Sequence, residues 1–507
     1  MKKMMKATSL IAVLAIVLGL CSACGDNSKA TKVTLMTIKD YYTTALNEIA
    51  EDYNELHPDT KVEIQVIGGN GAYSQNFTTK ISTDKKTAPD IIHTNLVSGN
   101  SEGEMITKNW LLPLDDLLEE ENPYNDGKKV KEAFTDSRFL TQAVSSVGKV
   151  GYLPFDCVSV GCYYNKTIFD ELNLTVPSTY EAFEQVLEQL RQAGYEDPLG
   201  ATSYVDWFGG SLADWGFRKL EPQFLTLPGD ALYNEATMKQ NTELKYDAND
   251  PNFDANAVFN DEKIVAYIDK NGIKSDVTKK IWETQRKLWQ YCADGWVTPD
   301  DSQTYNQFLA QKVPVFVSGS WEIGRLVSDQ KKLSDEQKFE WGVFKFPAFE
   351  TPDENFEGQP RGYMVAGHKL GLVNKDDEEL AAKAADFLKY MYSPEVASKI
   401  YKITLENGEL VQGPSLIEGV TFEDEVNEYM KAFESEGTMI TTLGDLAGAW
   451  TDGDYAVYND FRIKYVNGDI NYDEFIEEIS ILTEKWVEER KKTHGYDLDP
   501  TTADAAQ

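Results

Sequence analysis

From residue 32 onward, short apolar runs alternate with segments in which apolar residues recur every three or four positions. Residues 32–38 (KVTLMTI) read as a buried strand, and residues 61–67 as a strand with Val62, Ile64 and Val66 on one face. Between them Leu46, Ile49, Ala50, Tyr53 and Leu56 share a helical face that His57-Pro58 ends. A polar helix near 74–82 comes next, then a short strand over Pro89-Asp90-Ile91-Ile92-His93. Strand–helix–strand–helix–strand predicts right-handed crossovers and a parallel sheet with helices on its faces.

The same alternation continues. Residues 149–154 and 158–164 predict strands. Ser178-Thr-Tyr-Glu181, following Pro177, has the form of a capping box. The helix behind it turns Phe183, Val186, Leu187 and Leu190 inward and stops at Gly194. Leu380, Ala384, Phe387, Leu388 and Met391 form another apolar face, closed by Pro394. Phe475, Ile479, Leu482 and Trp486 form a third, started by Asn471 with Glu474 three residues on. Trp282, Trp289 and Trp486 lie on apolar helical faces and are expected in the core. Residues 219–280, rich in Asn, Asp and Pro, show weak periodicity and predict an insertion with partial structure.

Composition narrows the function. The 507 residues are 41% hydrophobic and 26% charged, a globular balance long enough for two or more lobes. A net charge of −35 excludes a phosphate-binding footprint, so no nucleic acid is expected as partner. The first residues change the picture further. Lys2, Lys3 and Lys6 precede an uncharged apolar run over 10–20, too short to span a bilayer comfortably but suited to an export signal. Cys21-Ser22-Ala23-Cys24-Gly25 follows. Small residues before a cysteine resemble a bacterial lipobox, with Cys24 as the lipidated residue, 1–23 removed and 24–31 as a tether. An ordinary secretory signal cut nearby is the alternative. Cleavage leaves 46 basic residues against 84 acidic, a charge of −38, on a body held by acyl chains at the outer face of a membrane.

Catalytic and metal signals are sparse. Cys157, Cys162 and Cys292 remain after cleavage, too few to pair completely, and read as small core residues. The four histidines form no zinc motif; there is no nucleophile elbow and no P-loop, and no cofactor is expected. An oxygen-rich stretch over 250–261 imitates a calcium loop but lacks glycine at its sixth position and glutamate at its twelfth. A glycosidase needs only two carboxylates, which 84 acidic residues leave open.

The order of several segments resembles a known family. Tyr53-Asn-Glu-Leu-His-Pro58 with Val62-Glu-Ile, Pro89-Asp-Ile-Ile92 and Trp110-Leu-Leu-Pro-Leu-Asp115 come first. Gly148-Lys-Val-Gly-Tyr-Leu-Pro154, Tyr163-Tyr-Asn-Lys166 with Phe169, and Pro177-Ser-Thr-Tyr-Glu-Ala-Phe183 are the most specific. Residues 308–317 with Gly319-Ser-Trp321, and 381–393 with Pro394, complete the set. Together they resemble the extracellular solute-binding lipoproteins of bacterial ABC importers, in the carbohydrate-binding branch that includes maltose-binding protein. The resemblance implies a periplasmic-binding-protein-like α/β fold, two lobes joined by crossing strands around a ligand cleft. Lobe 1 is expected over 32–154 and 365–412, and lobe 2 over 156–362 and 413–495. It also implies a monomer without catalytic activity that captures a sugar, an oligosaccharide by expectation, and delivers it to the permease subunits.

A sugar offers flat C–H faces and many hydroxyls, so its site needs aromatic platforms with polar groups at the rim. With 10 Trp, 26 Tyr and 23 Phe such a site is affordable, and placement selects candidates. Asp40, Tyr41 and Tyr42 follow the first strand, Asn95 follows the third, and Asp156 follows the crossing strand. Asp206 and Trp207 lie in a loop after Leu199-Gly200, where the family carries acidic and aromatic contacts, with Trp215 eight residues beyond Trp207. Trp321 and Glu322 follow Gly319-Ser320; Arg361 and Tyr363 lie where the chain crosses back; Trp450 follows Gly448-Ala449. Packing is the alternative for Trp215, Tyr363 and Trp450, a backbone bond at the hinge for Asp156, and a helix cap for Asp40. Two other functions compete: a secreted glycan-active hydrolase, and an extracytoplasmic sensor or binding protein for a non-sugar solute. Among the latter, a uronate polymer would find a cation in Arg361.

Overall fold

The computed structural model describes residues 30–39, 41–135, 138–145, 147–250, 257–420, 422, 424–433 and 437–502. The export signal, Cys24, the tether up to residue 29, Asp40 and the middle of the calcium-like stretch lie outside the described residues. In chain order the main elements begin with β1 (Thr31–Ile38), α1 (Thr43–Leu56), β2 (Thr60–Ile67), α2 (Asn70–Thr83), β3 (Ile91–His93) and β4 (Leu153–Pro154). Then come β5 (Cys157–Asn165), α3 (Tyr180–Gln192), β6 (Leu199–Gly200), α4 (Trp207–Phe217), α5 (Asp261–Asn271) and α6 (Asp276–Trp289). The remainder are β7 (Val315–Gly319), α7 (Glu322–Lys332), β8 (Trp341–Phe344), β9 (Tyr363–Ala366), β10 (Lys369–Leu372), α8 (Glu378–Met391), α9 (Pro394–Glu406), α10 (Tyr455–Asn467) and α11 (Tyr472–His494).

The strands form two sheets. The first has order β2-β1-β3-β10-β4, and the second β6-β7-β5-β8 with β9 also on β5. β1 is parallel to β2 and β3, and β6 is parallel to β7; the other pairings are antiparallel. The sheets are therefore mixed rather than parallel throughout, because β10 enters the first sheet from the opposite direction after the chain has built the second. β1 is buried on both faces: Val33 and Leu35 pack with Ala45, Leu46, Ile49 and Tyr53 of α1, while Met36 packs with Tyr73 and Phe77 of α2. Each large apolar side chain so buried contributes about 1.5–3 kcal/mol.

Several local expectations are met and some shift. Asn471 caps α11 through a complete capping box with Glu474. Thr179 rather than Ser178 caps α3, because Glu181 turns away to accept the Glu350 N–H at 2.9 Å. Pro394 both ends one helical run and opens α9. In 219–280, regular helix returns at α5 and α6, while the described residues of 225–260 hold only one short helical turn pair over 235–242. Cys157, Cys162 and Cys292 are buried and are not joined in disulfides. Trp282, Trp289 and Trp486 are buried.

Three segments connect the sheets. Phe155 N–H bonds His368 O at 2.9 Å, Gly367 N–H bonds Asp156 O at 2.8 Å, and Cys157 N–H bonds Pro414 O at 3.0 Å. The exchange from the second sheet to the first falls at 367–368, after β9. Residues 416–418 return to the first sheet's side, where Leu416 O accepts from Thr135 N–H. A side chain on Gly367 would overlap the Asp156 carboxylate, and one on Gly413 would overlap Cys157 O and Ser320 Oγ. The crossing is therefore too close for any residue larger than glycine at those two positions.

Candidate functional site

The parallel strands β6 and β7 end side by side, and their following loops carry aromatic rings. After β6, Thr202 Oγ1 donates to Val317 O at 2.6 Å, and Thr304 Oγ1 donates to Ala201 O at 2.5 Å. These bonds fix the loop that presents Tyr204 and then Trp207 at the start of α4. After β7, Trp321 folds back over Gly319, whose place no larger residue can take because its side chain would overlap the indole. Val160 of β5 pairs with Gly319 on one edge and Tyr363 on the other, so Tyr363 stands at the same level of the sheet.

The rings meet. Tyr204 lies 5.1 Å from Trp321 and 5.5 Å from Trp207 between centroids, and Trp207 lies 3.9 Å from Tyr363. Burial, with Asp301, Glu322, Tyr41 and Tyr363 nearby, pushes the Tyr204 hydroxyl up to about 12. Tyr41 comes from the loop after β1 in the first sheet. Its own ring packs edge-on against His368 at 5.6 Å. Tyr41, Tyr204, Trp207, Trp321 and Tyr363 are all half-buried, so each keeps a face that a ligand can cover.

A hollow of about 320 Å³ adjoins this cluster, lined by Asp206, Gly209, Gln285, Trp450 and Tyr458 among others. Trp450 stacks on Tyr458 at 3.6 Å and 15°. Asp206 accepts from Arg462 Nη2 at 2.6 Å, and the buried Arg462 guanidinium lies over Trp289, Trp296 and Tyr458 at 4.6–4.9 Å. Stacking on rings and pairing with carboxylate are what a guanidinium does best. Arg462 therefore orients Asp206 from below. A wider hollow of about 730 Å³ over α9 is lined by Lys331, Lys399 and Lys402 and lies on other elements than the ring-bearing loops.

Five sequence candidates are not at a ligand-accessible surface. Trp215 is buried against Phe349 and Phe356, its Nε1–H donating to Glu357 O, so it is core. Tyr42 and Asp156 form the crossing instead. The fully buried Asp156 carboxylate accepts from Tyr42 Oη, His368 Nδ1 and His368 N–H, each at 2.7 Å. Tyr42 sits at φ 52°, a conformation that costs a non-glycine residue about 1–3 kcal/mol and that this bond helps to offset. Arg361 is buried and engaged with Asp214 and Glu221, so it presents no cation to a uronate. Glu322 is buried beneath Trp321; burial raises its carboxyl above the usual range, and Arg325 at 3.5 Å opposes this. Asn95 is exposed after β3. Tyr204, Gln285 and Arg462 escape the sequence reading. Tyr204, three residues before Trp207 in one loop, had a legible signal; Gln285 and Arg462 sit mid-helix and had none.

Among the described residues no three His, Cys, Asp or Glu side chains gather as a metal-ligand set, and no helix is long and apolar enough to cross a membrane. With half-buried rings on converging loops and flanking carboxylate and amide groups, the site can cover apolar ring faces and bond hydroxyls. The family model described as bacterial extracellular solute-binding protein matches residues 39–398, and the chain belongs to that family. More particularly, it is 23% identical over 417 residues to the multiple sugar-binding protein of Streptococcus mutans, covering 79% of this chain and 82% of that one. Among solved structures, the solute-binding protein RafE in complex with raffinose superposes with a TM-score of 0.56 at 18% identity, over 90% of this chain and 99% of that one. A chitin oligosaccharide binding protein superposes at 0.55 with 17% identity, over 90% and 100%. The fold is that of these solute-binding proteins.

Proposed function

We propose that the protein captures a neutral oligosaccharide outside the cell and delivers it to the permease of an ABC importer. One lobe is built on each sheet, and the ligand lies between Tyr41 on one side and Tyr204, Trp207, Trp321 and Tyr363 on the other. It continues toward Trp450 along the hollow beside Asp206. The observation that carries this reading is the cluster of half-buried rings, Tyr204, Trp207, Trp321 and Tyr363, gathered at one end of the second sheet. A ligand that touches both lobes favours the closed arrangement, and the permease reads that arrangement. The sugar ligands named for the similar proteins agree with a carbohydrate. The engagement of Arg361 and Arg462 by carboxylates favours a neutral sugar over an acidic one. Lipidation at Cys24 holds the body at the outer membrane face as a monomer.

The test is a thermal-shift screen of neutral, acidic and amino oligosaccharides. Titration calorimetry, small-angle scattering and chromatography of the recovered sugar then follow on each hit. A neutral oligosaccharide raises the melting temperature, compacts the protein and is recovered intact. Binding without compaction, cleavage of the sugar, or preference for uronates refutes the reading.

A further inference from the structure

Beneath the ring cluster lies a buried group of four charges that no ligand reaches. Asp214, Glu221, Arg218 and Arg361 are each at most 1% exposed. Arg361 Nε donates to Asp214 Oδ2 at 2.9 Å, and its Nη2 donates to both Asp214 Oδ1 and Glu221 Oε1. Arg218 Nη2 reaches Asp214 Oδ2 at 3.3 Å, and its Nη1 donates to Gln359 O at 2.9 Å. Asp214 Oδ1 also accepts the Ile440 N–H at 2.7 Å.

The carboxylate of Asp214 thus ties three chain segments, and each carries a ring of the proposed site. Asp214 is seven residues after Trp207 on α4, about two turns along one helix face. Arg361 is two residues before Tyr363, the ring in contact with Trp207. Ile440 belongs to the stretch that leads to Trp450, and Met439 N–H bonds Gly362 O at 2.8 Å beside it. Ser211 Oγ, one turn before Asp214, donates to Arg361 O at 3.2 Å. Glu221 adds a second anchor from the start of the 219–280 insertion.

We propose that Asp214 is a positioning residue for oligosaccharide binding. It fixes the mutual placement of Trp207, Tyr363 and Trp450, and Glu221 ties the insertion to the same task. A buried fork between carboxylate and guanidinium sets distance and angle together, which a hydrophobic contact does not. The proposal rests on the reading of the ring cluster as the sugar site.

The test compares Asp214→Asn and Glu221→Gln with Asp386→Asn, which weakens a distant half-buried carboxylate that Tyr53 and Tyr124 bond at 2.6 and 2.7 Å. Affinity for the oligosaccharide found by screening is measured well below each melting temperature. Exposure of Trp207 without ligand is read as the difference in acrylamide quenching with and without Trp207→Phe. Asp214→Asn is expected to weaken affinity by about tenfold, the scale of one misplaced stacking contact, and Glu221→Gln by less. Both are expected to raise the quenching of Trp207, while Asp386→Asn changes neither readout at a comparable loss of melting temperature. If Asp214→Asn does not fold, Glu221→Gln decides alone. Unchanged quenching and affinity, or equal changes in Asp386→Asn, overturn the proposal. If no oligosaccharide binds the parent protein, the functional reading fails and the quenching result alone judges the positioning role.

Discussion

Removing the Asp156 carboxylate is the perturbation whose size the structure fixes best. The group is fully buried where three segments cross, and three donors point at it from 2.7 Å: Tyr42 Oη, His368 N–H and His368 Nδ1. In Asp156→Ala the His368 ring can shift its proton to the other nitrogen, but the Tyr42 hydroxyl and the His368 amide lose their acceptor in a dry site. Two orphaned donors at about 1–3 kcal/mol each give an expected loss of about 2–6 kcal/mol. Asp156→Asn keeps one acceptor oxygen and is expected to lose about 1–2 kcal/mol. Adding Tyr42→Phe to Asp156→Ala removes one orphan, so the double variant is expected to be less destabilised than the sum of the singles by about 1 kcal/mol. Urea unfolding of the parent, the three single variants and the double variant, followed by tryptophan fluorescence and circular dichroism together, measures each term. An Asp156→Ala variant within about 1 kcal/mol of the parent, or strict additivity with Tyr42→Phe, refutes the account of the crossing as a buried hydrogen-bond junction.

Trp321→Ala is expected to weaken oligosaccharide binding by about tenfold or more, since a stacking anchor is lost; calorimetry on the folded variant checks it, and unchanged affinity removes Trp321 from the site. Burial, with His368 nearby, holds His93 well below its ordinary 6.5, so the unfolded chain takes up a proton that the folded one refuses. Its contribution to stability is complete above pH 6.5 and is lost as pH falls below that value, so melting temperatures from pH 7.5 to 5 are expected to drop less steeply in His93→Gln than in the parent. Asp445 behaves in the opposite sense: burial first, then Asp261, raises its carboxyl from 3.8 to about 7, so the folded state keeps a proton that the unfolded chain releases. Stability falls as pH rises through that interval, and Asp445→Asn is expected to raise the melting temperature at pH 8 while leaving it unchanged at pH 3.

Local patterning made the scaffold legible. The short apolar run of β1, the helical face of α1 and the capping box of α11 each follow from neighbours within a few residues, and the structure has them where the sequence puts them. The ring-bearing loops were legible for a related reason: Tyr41 and Trp321 closely follow strands and Trp207 ends the loop after β6, and the ends of such strands are where an open α/β sheet presents its ligand groups. What the sequence hid was depth. Asp156, Arg361 and Glu322 occupy the same strand-end positions as the rings, yet their charged groups turn inward to partners as remote as His368 and Asp214. Nothing within a few residues of Arg361 announces an acid 147 positions away. Similarly, Arg462 reads as one more polar residue on α10 until Trp289, Trp296 and Asp206 close around it.

This inward turning gives the site its chemical character. Two buried arginines behind the rings are paired with acids, Arg361 with Asp214 and Glu221 and Arg462 with Asp206, while Tyr204, Trp207, Trp321, Tyr363 and Trp450 remain half-exposed. A guanidinium left free there would favour anionic guests, and an aromatic floor held only by apolar packing would let its rings slide. Pairing each arginine with carboxylate removes the first effect and supplies the fixed angles that prevent the second. On the proposed reading, selectivity for an uncharged, hydroxyl-rich ligand would follow from the same buried pairs that hold the rings in place. Substituting Arg462 by lysine tests that link: the charge stays, but stacking against Trp289 and the directed bond to Asp206 weaken, and sugar affinity is expected to fall without any gain in binding of uronates.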